Sequence, residues 1–142
     1  MKPERYNTNL AAEFWVLSAL YRLGTDAHLT LGNKKAIDIV ITKDSEIVFT
    51  IEVKGVADQY DWPADNIKEL EKPNHVYVLI CFEKTIQDPS VTPRVWVIPS
   101  PKMRDFLVQY KSRSVISRKL IKNNGTEYLN AWRYITQEGE AY

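Results

Sequence analysis

Glu52-Val53-Lys54 is the only acid-x-Lys triplet in the chain, and Asp38 stands on the β-rich run before it. A carboxylate two residues from a lysine on an extended segment places both side chains on one face. On the run 36–42, Asp38, Val40 and Thr42 share one face, while Ile37, Ile39 and Ile41 share the other. On 47–54, Val48, Thr50, Glu52 and Lys54 oppose Ile47, Phe49, Ile51 and Val53. Paired as a hairpin with Asp38 near Glu52, the runs gather two carboxylates and an ammonium on one surface. A one-residue slip would bury the acids in place of the isoleucines. A third acid, Glu13, falls between Leu17 and Leu20 on a helical wheel, inside an apolar stripe. A carboxylate there needs a cation, a donor or a metal to offset its desolvation.

Three acids and a lysine suit metal-assisted hydrolysis of a phosphodiester. Mg²⁺, with Mn²⁺ as a substitute, takes hard oxygen ligands and is held by few protein carboxylates. Asp38 and Glu52 would hold the ion, with the Val53 carbonyl as a further oxygen. Glu13 would bind a second ion or order water beside it. Lys54 would orient the attacking water or offset charge developing on the phosphate. A solvated strand face with alternating charges produces the same triplet. The partner acid Asp38, the shared facing and the helix acid Glu13 separate the two readings.

The elements that must position these residues are legible from periodicity. Leu10, Phe14, Leu17, Leu20 and Tyr21 predict a helix over 9–23, stopped by Gly24. A short strand is expected at 27–31, and the runs 36–42 and 47–54 form a hairpin around the polar turn Lys43-Asp44-Ser45-Glu46. Pro63 predicts the first turn of a short helix ending before Pro73. The continuous apolar run 75–82 reads as a buried central strand, and 94–98 as another. Ser100-Pro101 opens a predicted helix to about Tyr110, and Thr126–Thr136 reads as helical. Together these give a single α/β domain over 1–142, a central mixed sheet flanked by helices.

Ile37-Asp38 followed by Glu52-Val53-Lys54 resembles the PD-(D/E)xK nuclease superfamily, with its restriction-endonuclease-like fold. The preceding helix with an inward Glu13 is similar to the branch containing the archaeal Holliday-junction resolvases. The resemblance covers residues 9–82 and extends to Ile98; the chain beyond Ser100 lies outside it. It implies an Mg²⁺-dependent nuclease hydrolysing DNA phosphodiester bonds, with Asp38, Glu52 and Glu13 as metal-binding acids and Lys54 as the catalytic lysine. Ile37 stands where the motif name has Pro. Gln59 lies next to Tyr60, so the Gln-x-x-x-Tyr of the exonuclease branch is not formed. A catalytically inactive nuclease-fold module, binding DNA or protein, is the alternative.

The remaining composition bounds partners. The 142 residues carry 19 Lys+Arg against 18 Asp+Glu, a net charge of +1. That balance conceals a basic stretch over 101–122, where Lys102, Arg104, Lys111, Arg113, Arg118, Lys119 and Lys122 face the single acid Asp105. Lys102, Arg104, Lys111 and Arg113, with the turn lysines Lys34 and Lys35, are candidate contacts to a nucleic-acid backbone. Gln59, Tyr60 and Trp62 sit in the loop after Lys54, with Trp62 read as a packing anchor. Asp61 and Asp65 read as capping acids. One cysteine, Cys81, excludes a disulfide framework and a cysteine-based zinc cluster. No apolar stretch is long enough for a membrane span, and no nucleotide cofactor is expected. The expected location is cytoplasmic. Cutting two strands with so small a chain suggests a homodimer.

Overall fold

The computed structural model describes residues 5–30, 37–67 and 70–136. Helix α1 (Arg5–Arg22) is followed by β1 (Ala27–Leu29), β2 (Ile39–Lys43), β3 (Glu46–Val56), β4 (Trp62–Pro63), β5 (His75–Cys81) and β6 (Arg94–Pro99). A single helical turn α2 (Ser100–Met103) leads into β7 (Leu107–Gln109) and β8 (Ser114–Ile116). Helices α3 (Arg118–Asn124) and α4 (Arg133–Thr136) come last among the described residues. Five strands form one mixed sheet in the order β1-β2-β3-β5-β6, parallel only between β3 and β5. Strands β4, β8 and β7 form a second, antiparallel sheet. The expected α/β architecture, a central mixed sheet flanked by helices, is the one observed.

The hairpin forms for the reason its sequence states. Asp44 and Ser45 both take positive φ, 54° and 68°, the two-residue turn whose twist matches the flanking strands. The other end of the hairpin opens. Asp38 N–H donates to the Ile51 carbonyl at 2.9 Å, and β2 then parts from β3. β5 is buried along its whole length, as a central strand must be.

One face of the large sheet packs against α1 and α4 through Ile39, Ile51, Val76 and Val78; the other packs against the second sheet through Tyr77, Leu79 and Ile98. α1 crosses β3 at Gly55, where an added Cβ would lie 2.7 Å from that of Ala12. Only glycine permits this approach, and it sets the height of α1 above the sheet. A Schellman arrangement ends the helix at Gly24 (φ 81°), with Thr25 N–H reaching the Leu20 carbonyl at 3.1 Å.

Four expectations need correction. The buried row of α1 is Ala12, Val16 and Leu20, whereas Phe14 and Tyr21 are 52% and 56% exposed. Close packing against β3 selects small side chains, and the larger ones turn outward. Pro63 opens no helix. It pairs in β4 against Val115, an edge position that asks no N–H of it. The helix from Ser100 ends at Met103, and the chain passes through a 3₁₀ turn into β7, which pairs with β8. Over 126–136, a 3₁₀ turn, a bridge from Leu129 to Trp96 and the short α4 replace a continuous helix.

Candidate active site

Glu52 and Lys54 lie on one face of β3, in register with Tyr77 and Leu79 of β5. Their side chains are 5% and 9% exposed, and Lys54 Nζ stands 2.6 Å from Glu52 Oε2. The ammonium is held from a second side by Asn66 Oδ1 at 2.9 Å. Apart from the ion pair, Glu52 Oε2 has no hydrogen-bond partner among the described residues. Burial pushes the Glu52 carboxyl above its ordinary range, while Lys54 and, more weakly, Lys72 pull it down.

Asp38 occupies the fork where β2 leaves β3. Its Oδ2 accepts the Val53 N–H at 2.7 Å, taking the place of the strand that has turned away. In an extended chain a residue's N–H and C=O lie along the same strand edge, so the Val53 carbonyl borders the same opening. Burial raises the Asp38 pKa against the lowering effects of that N–H and of Lys54. Glu13 reaches Asp38 from α1. Burial, then the Asp38 charge and the hydrogen bond to it, push Glu13 up to about 7.

The residues singled out in the sequence therefore fall into groups. Glu13 and Asp38 are hydrogen-bonded; Asp38, Val53, Glu52 and Lys54 surround the fork. Lys102 and Arg104 lie elsewhere, exposed in α2 and in the 3₁₀ turn after it, and Arg104 faces Glu71 at 3.6 Å. Lys111 and Arg113 are exposed in the turn between β7 and β8. Lys34 and Lys35 lie outside the described residues. Trp62 is fully buried, its Nε1 donating to the Ile80 carbonyl at 3.1 Å, as an anchor would. Asp61 accepts the Arg118 N–H at 2.8 Å, at the N-terminus of α3, and Asp65 accepts that of Ser114 at 2.7 Å.

Two residues escaped the sequence reading. Asn66 lies in a segment whose proline suggested a helix, and nothing local marks it as a partner of Lys54. Lys72 feels both Glu52 and His75. A lysine three residues before a strand carries no signal of its own.

The donor set at the fork suits a hard cation. It offers carboxylate oxygens from Asp38 and Glu52, the latter paired with Lys54, and a bordering backbone carbonyl. Among the described residues, no three His, Cys, Asp or Glu side chains converge as a metal-holding group. Such a site would thus rest on two carboxylates at most, with Glu13 acting through Asp38. No described helix is long and apolar enough to cross a membrane. No protein-family model matches the chain, and neither a curated relative nor a similar solved structure was found.

Proposed function

We propose that this protein is an Mg²⁺-dependent nuclease of the PD-(D/E)xK type, hydrolysing DNA phosphodiesters at the β2–β3 fork. The observation that carries the reading is a buried Glu52–Lys54 pair one residue from a backbone N–H that Asp38 captures by its carboxylate. Isolated surface charges do not need such an arrangement; a site for a hard cation and a phosphate does. Asp38, Glu52 and the Val53 carbonyl would hold the ion, which when bound supplies charge neutralisation and acidifies water. The Val53 N–H and the Lys54 charge favour the charged form of Asp38 against the burial that raises its pKa. Lys54, held by Glu52 and Asn66, would meet negative charge developing on phosphate oxygens. A homodimer cutting both strands is part of the proposal.

A second reading, a non-catalytic DNA-binding or protein-interaction module with this fold, draws on the absence of a three-carboxylate group among the described residues and on the closed Glu52–Lys54 pair. Incubation with plasmid, branched and single-stranded DNA in Mg²⁺, Mn²⁺ or EDTA separates the two. We expect metal-dependent cleavage, lost in Asp38→Asn and in Lys54→Ala, with Mn²⁺ affinity weakened in Asp38→Asn only. Salt-sensitive binding with no cleavage of any substrate would favour the module.

A further inference from the structure

The basic stretch over 101–122 is not one surface. Its first part, at α2, has Arg104 facing Glu71. Its second part, the tight turn between β7 and β8, carries Lys111 and Arg113, both exposed and neither in an ion pair with a described residue. Tyr110, 50% exposed, lies under the Arg113 guanidinium at 6.0 Å. The turn is closed by Tyr110 N–H to the Arg113 carbonyl at 2.8 Å, so both cations project from an ordered ribbon.

That ribbon is tied directly to the fork. Ala64 N–H donates to the Ser114 carbonyl at 2.9 Å, and Ser114 N–H donates to Asp65 Oδ1 at 2.7 Å. The next residue, Asn66, accepts from Lys54 at 2.9 Å. Arg113 is therefore separated from the Lys54 ammonium by two hydrogen bonds and a few residues of backbone. Two exposed cations with no ion-pair partner among the described residues, on a ribbon linked to a lysine-bearing site, match a polyanion with closely spaced phosphates.

We infer that the β7–β8 ribbon is the element that grips duplex DNA beside the fork, with Lys111 and Arg113 on backbone phosphates flanking the one at Lys54. The inference rests on the nuclease reading for the role of the fork, but binding by the ribbon is measured without cleavage. A duplex carries one charge per about 1.7 Å of axis, and each neutralised phosphate adds about 0.9 to the salt slope of log affinity. The ribbon pair thus accounts for a slope of about 2.

The test is fluorescence anisotropy of the full chain on a labelled blunt duplex in EDTA, across a salt series. Lys111→Gln/Arg113→Gln is expected to weaken binding about tenfold at low salt and to lower the slope by about 2. Lys102→Gln/Arg104→Gln is expected to change both by less than half as much. An unchanged slope in the ribbon variant, with its thermal unfolding equal to wild type, overturns the inference. So does a preference for single-stranded RNA over the duplex. Duplex binding that depends on the ribbon, with no cleavage under any metal, keeps the inference and sinks the nuclease reading. Metal-dependent cleavage with ribbon-independent binding does the reverse.

Discussion

Glu52 and Glu13 meet the same difficulty from the two sides of one sheet. Both are carboxylates that burial pushes toward the neutral form. On the side of the second sheet, Glu52 keeps a lysine 2.6 Å away, and that lysine is held again by Asn66. On the α1 side, Glu13 meets a second carboxyl, Asp38, and burial with that charge pushes it up to about 7. A proton leaves when pH rises or a cation arrives, whereas a lysine held from two directions stays. The difference makes the Glu13–Asp38 edge the exchangeable side of the fork and the Glu52–Lys54 side its fixed frame.

Removing the frame has the largest expected effect. Lys54→Met leaves Glu52 buried without a counter-charge, a loss of about 3–5 kcal/mol for a pair this enclosed. Urea unfolding at pH 7 measures it. Glu52→Gln/Lys54→Met removes both charges and is expected to recover most of that loss. A cost under about 1 kcal/mol for Lys54→Met alone would mean the pair behaves as a solvated one, and the contrast with Glu13 would collapse.

The exchangeable side is tested by pH. The Glu13 pKa in the folded protein, about 7, lies above its ordinary 4.5. Between those values the folded state binds more protons than the unfolded one. Its contribution is thus fully present below 4.5 and lost as pH rises through 7. Glu13→Gln is expected to flatten the fall in metal-free stability over that range. For the wild type, Mn²⁺ affinity is expected to climb over the same range, because the ion competes with the proton. Parallel pH profiles for wild type and Glu13→Gln would show that the proton does not rest on Glu13.

The fork was legible in the sequence because strand alternation is rigid. Once 36–42 and 47–54 pair around Asp44-Ser45, the facing of Glu52 and Lys54 follows, and His75 to Cys81 could only be a central strand. Glu13 was found by a stripe that was only partly the right one. Leu20 is buried and Leu17 packs against the core, but Phe14 and Tyr21 are exposed, while Ala12 and Val16 meet the sheet. Periodicity weighs large apolar residues, but the contact at Gly55 demanded small ones. The second sheet was not legible at all. Trp62-Pro63 pairs with residues 115–116, and Asp61 and Asp65 hold the N–H groups of Arg118 and Ser114. Partnerships across some fifty residues leave no local pattern, and local propensity then favoured helices in their place.

His75 offers the finest test of the comparison, because it is a buried base on the Glu52 face that stays neutral. Its Nδ1 lies 2.7 Å from Thr50 Oγ1, its Nε2 is buried without a partner among the described residues, and burial with the Lys72 charge pulls its pKa down to about 4. A base with a lowered pKa has the opposite sign to Glu13. Its contribution is present above 6.5 and lost as pH falls through 4. Between about 4.5 and 6.5 the two slopes therefore oppose one another. His75→Phe keeps a ring in the space and removes the acid limb, so stability should fall more steeply with rising pH than in wild type. In Glu13→Gln/His75→Phe both contributions vanish, and the residual slope belongs to Asp38 and Glu52, whose pKa values are also raised. A wild-type slope unchanged by His75→Phe would show that His75 titrates alike in the folded and unfolded chains.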